Sequence, residues 1–168
     1  MSDVPTDMKA ELGAWNNGSG IDLETWISCM GGFQLAVGYT TIFWPHFRLI
    51  DDMILRDNFT EQSLADWKVS CAENLAGIES VINHIHLKDI HYYDCPDVSA
   101  DRLQFLGRIL KNIYQAKLAW EFPDRPCVVD FYEPENRNDL QEYQITFWQA
   151  KHEKGKAQPG AAANASRR

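Results

Sequence analysis

The stretch that decides the fold is Thr25–His46, which reads TWISCMGGFQLAVGYTTIFWPH. Its 22 residues carry no formal charge, although 24% of the residues in the whole chain are charged. Removing apolar surface from water is the main favourable term in folding, so a neutral and mostly apolar stretch of this length predicts a central core element. We therefore expect the other segments of the chain to cover it.

Three structures are compatible with this stretch. A membrane span needs about 20 predominantly apolar residues, but polar residues and three glycines dilute the apolarity here, and no Lys or Arg stands beside Asp22 and Glu24 at its N-terminal end. A buried helix would start after Asp22, a good N-cap, and stop before Pro45. A third structure breaks at Gly31-Gly32 and continues as a strand, because apolar and small residues alternate afterwards. The helix is favoured by apolar residues at spacings of three and four: Leu23, Trp26, Met30, Phe33 and Val37.

Length and composition indicate one globular domain. A chain of 168 residues is within the usual size of a single domain, and six Trp, six Tyr and eight Phe provide a bulky core. We predict a flexible N-terminal arm over residues 1–20, a single globular domain over 21–150 and a disordered basic tail over 151–168. The predicted fold class is mainly α, a small helical bundle with a short C-terminal β-hairpin (α+β).

The four cysteines lie far apart in the sequence, and no Cys-x-x-Cys motif occurs. The first twelve residues, MSDVPTDMKAEL, lack the apolar segment of a signal peptide. Both features favour a cytoplasmic protein with free thiols.

Charge is distributed unevenly along the chain. Residues 151–168 contain five basic residues and one acidic residue, a net charge of +4. The other 150 residues therefore carry a net charge of −12, which gives −8 for the whole chain. An acidic body repels nucleic acid and anionic membranes. We therefore expect neither nucleic acid nor membrane among the partners.

Two further helices are predicted by capping residues and apolar spacing. Thr60 is an N-cap for a helix over 61–85, and Ser99 is an N-cap for a helix over 100–120. The basic polar side of the second helix favours packing against acidic elements. Between the apolar stretch and Thr60, the run His46–Asn58 predicts a short helix.

The C-terminal part of the chain predicts a β-hairpin. Cys127–Glu133 alternates and is rich in β-forming residues, and Leu140–Trp148 places aromatic and branched residues on one parity. A short helix from Asp139 is the alternative, since Leu140, Tyr143 and Phe147 also fit one helix face.

One cluster contains the residue types that bind metal ions, namely His84, His86, His91 and Asp94. Imidazole and carboxylate groups suit zinc or iron. At a helix end, however, His84 and His86 would diverge by about 200°, and on a helix Lys88 would lie between His84 and His91 on one face. Solvated or locally hydrogen-bonded histidines are therefore the favoured interpretation. Cys95 lies near His91, but no third orienting group indicates a nucleophile.

The C-terminal hairpin also combines aromatic and acidic side chains. One face of such a hairpin packs on the core, while the other would present aromatic groups beside carboxylates, which suits a protein-binding surface. The alternative is that the aromatic residues pack on both sides. The candidate binding residues are Asp130, Tyr132, Glu133, Glu142, Tyr143 and Trp148.

These observations favour a non-enzymatic, cytoplasmic interaction or regulatory protein. We expect it to bind a basic protein partner or to self-associate as a homo-oligomer, without a cofactor. A net charge of −12 on the body would steer basic partners towards it. The alternative is a metal-assisted hydrolase that uses the histidine cluster.

Overall fold

The computed structural model describes residues 4–91 and 95–155, with side chains to residue 153. Within these ranges the chain is a mixture of six α-helices and two small antiparallel sheets. The helices are α1 (Lys9–Ala14), α2 (Leu23–Met30), α3 (Phe33–Phe43), α4 (Glu61–Ser70), α5 (Leu75–Ile82) and α6 (Ala100–Glu121). The strands are β1 (Phe47–Ile50), β2 (Met53–Arg56), β3 (Ile85–His86), β4 (Cys127–Tyr132) and β5 (Gln144–Gln149). The prediction of an α+β protein is confirmed, whereas the mainly α bundle is matched only in part.

The C-terminal strands form an antiparallel pair, as the alternation predicted. Val129 of β4 lies opposite Phe147 of β5, and both are buried. The sheet has a third strand that the sequence analysis did not predict. Ile85 of β3 pairs with Ile145 on the other side of β5, which makes β5 the central strand.

The run 46–58 is a β-hairpin, so the prediction of a short helix there is wrong. Strands β1 and β2 pair antiparallel, with Ile50 opposite Met53. The two residues between them, Asp51 and Asp52, have φ angles of 47° and 66°. Aspartate is among the residues that tolerate positive φ, and two such residues in sequence form the tight turn that matches strand twist. The paired aspartates were the local signal for this turn.

The apolar repeat over 61–85 is divided into two helices instead of one. Helix α4 begins at its predicted cap, where Thr60 accepts a hydrogen bond from the Ser63 N–H at 3.1 Å. Ala72 and Glu73 then adopt positive φ, which ends the helical path. Asn74 caps α5 by accepting a bond from the Gly77 N–H. Spacings of three and four persist across this turn, so periodicity alone did not reveal the break.

Helix α5 connects the two sheets through polar side chains. The buried Glu79 accepts hydrogen bonds from the backbone N–H groups of Ile54 in β2 and Gln149 in β5, at 2.8 and 2.9 Å. Asn83, one turn later, donates to the carbonyls of Ile54 and Phe147. Backbone groups at a buried strand edge need partners. The two side chains supply these partners where β2 and β5 face the helix.

Helix α6 is the long element that the sequence predicted, and it covers one face of the three-stranded sheet. Its cap is formed by Ser99, which accepts a bond from the Arg102 N–H. Tyr114, with no exposed surface, packs edge-on against both Phe47 and Phe147. This aromatic group joins α6 to both sheets.

The ends of the domain differ from the predicted arm and tail. At the N-terminal end, Met8 and Leu12 are buried, and Arg102 of α6 pairs with Asp7 at 3.1 Å. Part of the predicted arm therefore contacts the body, while most of residues 9–20 are exposed. The predicted tail is described only to residue 155, and its first residues contact the body, since His152 lies 2.9 Å from Glu79.

Candidate interaction surface

Two of the six predicted binding residues lie inside the protein. Tyr143 is 1% exposed and Trp148 is 2% exposed. Tyr143 packs against Phe131 in the core between the sheet and α6. A partner cannot contact either side chain while the domain is folded, so these residues hold the sheet together.

The other four residues leave a weaker surface than the sequence suggested. Tyr132 is 47% exposed and Glu142 is exposed, while Asp130 and Glu133 are half-buried. Glu133 is already engaged, because it accepts hydrogen bonds from Gln104 and Arg108 of α6. The basic side of α6 therefore contacts an acidic residue of the hairpin, in line with the prediction that it packs against acidic elements.

The predicted histidines do not meet at one site, and each makes its own contacts. The chain leaves the helix before His84, and the His84 and His86 rings lie 4.3 Å apart in an edge-to-face arrangement, so they do not diverge as a helix end would require. His86 Nδ1 lies 2.8 Å from the Gln141 carbonyl oxygen, and His91 pairs with the Tyr39 hydroxyl. Asp94 lies outside the described residues.

Within residues 4–91 and 95–155, no three His, Cys, Asp or Glu side chains are grouped so that they could hold a metal ion. Burial, followed by the neighbouring His86, lowers the pKa of His84. A neutral imidazole is a competent metal ligand, but a single adjacent pair does not supply the three protein ligands of a catalytic zinc site. The described geometry gives the hydrolase hypothesis no support.

Cysteine chemistry is also unfavourable at Cys95 and Cys127, as it is at Cys71, where burial raises the pKa of the thiol. Cys95 donates to a carboxylate oxygen of Asp97 at 2.8 Å, and this bond raises the pKa of the Cys95 thiol. Cys127 lines a groove of about 260 Å³ at the end of α6, where burial raises its pKa to about 12. The thiolate is the nucleophilic form, so these thiols are poorly suited to nucleophilic catalysis at neutral pH.

The most exposed apolar surface is formed by α2 and α3, the stretch that was predicted to be the core. Among residues 23–43, no side chain is buried, and every residue from 31 to 38 is exposed. Phe33 is 93% exposed and Val37 is 69% exposed. We call α2 and α3 together the apolar helix pair. The prediction that this stretch is covered by the rest of the chain is wrong.

The helix pair is divided by its glycines. Helix α2 begins at the predicted cap, where Asp22 accepts a bond from the Thr25 N–H at 2.8 Å, and this bond lowers the pKa of Asp22. The helix ends at Met30, and Gly31 and Gly32 then adopt extended backbone angles. Helix α3 ends two residues before Pro45, as predicted. The sequence analysis thus located the ends correctly and favoured continuous helix where two helices form.

Contacts with the body are concentrated near the two ends of the pair. Near its start, the Trp26 indole N–H donates to Glu11 at 3.0 Å. Near its end, the Tyr114 hydroxyl donates to the Ile42 carbonyl at 2.8 Å, and Lys117 lies 4.6 Å from the centre of the Trp44 ring. Together with the Tyr39–His91 pair, these contacts leave residues 31–38 exposed between them.

Three serine and threonine hydroxyl groups of the pair bond within their own helices. Thr40 donates to the Val37 carbonyl at 2.7 Å, Thr41 to the Gly38 carbonyl at 2.8 Å and Ser28 to the Glu24 carbonyl at 3.0 Å. Burying a polar group is costly when it loses its hydrogen bonds. Because these hydroxyls keep theirs, the surface can be covered without that cost.

No protein-family model, no curated protein and no solved structure matches the chain. Over the described ranges, 4–91 and 95–155, no helix has the length and apolarity needed to cross a bilayer.

Proposed function

We propose that the chain is a non-enzymatic interaction protein whose contact surface is the apolar helix pair. The observation that carries this proposal is the exposure of residues 31–38, in a stretch of 22 residues without formal charge. Large exposed apolar patches on soluble proteins mark interaction sites. The predicted aromatic surface on the C-terminal hairpin contributes less, because two of its aromatic anchors are buried.

The isolated helices give a second reason. Helix α3 has 11 residues, and helices shorter than about 12–15 residues are marginal in water without tertiary packing. Glycine at position 38 lowers helix stability further, by about 1 kcal/mol relative to alanine. A partner that covers α3 would supply the missing packing.

The acidic body has a different role in this proposal. Exposed acidic side chains increase the rate at which basic partners approach, and this effect is screened by salt. Contact through the helix pair is apolar and should persist at high salt. A partner that binds the acidic body should therefore be lost at high salt, whereas a partner that binds the helix pair should be retained.

The test is affinity purification from the native cells at low and high salt, with two differently tagged copies expressed together. The variant is Phe33→Asp, and the matched control is Val69→Asp at another exposed apolar site, on α4, where Val69 is 81% exposed. We expect a stoichiometric polypeptide, either a second copy or another protein, that is retained at high salt, lost with Phe33→Asp and kept with Val69→Asp. Recovery of the tagged chain alone at both salts would contradict the proposal.

A further inference from the structure

We infer that the apolar helix pair is a homodimer interface, in which α2 and α3 of one chain are covered by the same helices of a second copy. This inference rests on the proposed function and names the partner. Four properties of the surface support it: its charge, its area, its relief and its continuation onto α6.

Charge is the first argument for an identical partner. Residues 25–46 contain no Asp, Glu, Lys or Arg, whereas the rest of the chain is strongly acidic. A site for a basic protein would carry acidic groups around its apolar centre. A neutral surface is complemented by another neutral surface, and a second copy provides one of the same size.

The exposed area is close to what a stable dimer needs. Six large apolar side chains that do not oppose Phe33 across α3 are more than half exposed: Ile27, Met30, Phe33, Val37 and Trp44, with Trp120 of α6 beside Trp44. At roughly 100 Å² per fully exposed side chain, they present on the order of 400 Å² of apolar surface. Interfaces are about 56–65% apolar. A patch with this apolar area would therefore have a total area of roughly 600–700 Å², which approaches the ~800 Å² that each partner contributes to an interface of standard size.

The relief of α3 suits a two-fold contact. Phe33 and Val37 lie one turn apart and form a bulky row, while Ala36 and Thr40 form a low row beside it. Helices pack by placing the ridges of one into the grooves of the other. A two-fold axis sets each copy's bulky row against its partner's low row, because both copies present the same patch.

The patch continues onto α6 at the end of the pair. Trp120 is 71% exposed, and its ring centre lies 6.3 Å from that of Trp44. Lys117 is 3% exposed beneath these two indoles and pairs with Glu121, so the cation is neutralised locally. The two tryptophans therefore form an uncharged edge to the interface, and Trp is enriched at interface hot spots.

The alternative occupant is a lipid surface, and the charges argue against it. Helices that lie in a bilayer interface carry Lys and Arg on their polar side. The only positive charge between Leu12 and Arg48 would come from protonation of His46, and the body is acidic. Anionic lipid would repel this protein.

Sedimentation equilibrium of the purified chain between about 1 and 100 μM tests the inference, because this range separates weak dimers from monomers. The mass should rise towards twice 19.3 kDa with concentration. Phe33→Asp should weaken association at least about 100-fold, since each dimer buries the new charge twice. Val69→Asp should leave the dimerisation constant unchanged within about twofold, as expected for a site outside the interface.

Circular dichroism is the control that checks whether each variant is folded. Should Phe33→Asp lose helical signal, Val37→Asp serves as the second variant with the same expected loss of dimer. A wild-type monomer over the whole concentration range would overturn the inference, as would a dimer that survives both substitutions. Flotation of a monomeric wild-type chain with phosphatidylcholine vesicles, abolished by Phe33→Asp, would overturn it in favour of lipid.

The two proposals fail in different ways. A monomeric purified chain that still recovers a Phe33-dependent polypeptide from native cells would remove self-association and leave the proposed function intact. Loss of the dimer and of every native-cell partner would remove both.

Discussion

The apolar helix pair and the C-terminal hairpin are both rich in apolar residues, yet only the hairpin is buried. Phe33 of the pair is 93% exposed, while Phe147 of β5 has no exposed surface. The hairpin alternates apolar and polar residues, so it has one face to bury and another to expose. The pair contains a single charged residue, Glu24, and so has no charged side that would orient it against the body. The apolar composition of a segment shows that its surface must be covered. The periodicity of its apolar residues indicates whether one face of the segment can pack on the rest of the same chain.

Alanine at matched phenylalanines gives the largest expected contrast between the two regions. Phe147→Ala should lower the free energy of unfolding by about 3–5 kcal/mol, because it leaves a cavity between α6 and the sheets. Phe33→Ala should change it by less than about 0.5 kcal/mol, since the side chain packs on nothing in the monomer. Urea unfolding at a protein concentration too low for association measures both.

The outcome is decisive for the position of the pair. A loss of several kcal/mol in Phe33→Ala at low concentration would show that α3 packs on the body after all. A small loss that grows with protein concentration is what a covered dimer requires, because association stabilises the folded chain by mass action.

The polar groups of the two regions differ as strongly as their apolar groups. The hydroxyls of Ser28, Thr40 and Thr41 bond within their own helices, whereas β2 and β5 depend on Glu79 from a separate helix. Glu79→Ala should cost about 2–4 kcal/mol, because the N–H groups of Ile54 and Gln149 lose their acceptor in a buried place. The exposed Glu142 provides the matched control, and Glu142→Ala should cost less than about 0.5 kcal/mol.

Chemical denaturation of both variants, with amide exchange in β2 and β5, checks this prediction. Faster exchange at Ile54 and Gln149 in Glu79→Ala would identify the lost acceptor directly. Equal stability of the two variants would mean that Glu79 contributes nothing beyond an exposed glutamate, contrary to its position between the sheets.

Local signals explain which parts of the fold were predictable. Asp22, Thr60 and Ser99 cap helices as predicted, since a cap depends on a few neighbouring residues. The β4–β5 pair was predictable from its alternation. The turn at Asp51-Asp52 was missed because aspartates also fit a solvated helix face.

Long-range contacts explain what was missed at the candidate site. Nothing within 25–46 shows whether the body or another molecule covers it. The role of Glu79 also depends on partners 25 and 70 residues away. One signal for it was present, since Glu79 is the only acidic or basic residue among the mostly apolar residues 75–87, with histidines excepted. A lone carboxylate in an apolar segment indicates a buried, hydrogen-bonded group.

Acid should affect the sheet through His84, and this is the smallest of the expected effects. Burial and the neighbouring His86 lower the pKa of His84 in the folded protein, while a hydrogen bond to Gln144 of β5 acts in the opposite direction. In the unfolded chain the pKa returns to about 6.5. Between these two values the unfolded state binds the extra proton, so stability is fully present above about pH 6.5 and decreases as the pH falls through the folded pKa.

Urea unfolding at pH 7.5 and pH 5.5 measures this effect in wild type, His84→Gln and the control His46→Gln at an exposed histidine. We expect His84→Gln to lose less stability on acidification than wild type and the control, because glutamine has no proton to gain. An equal loss in His84→Gln would show that His84 does not resist protonation in the fold, and the acid sensitivity of the sheet would then have to come from other groups.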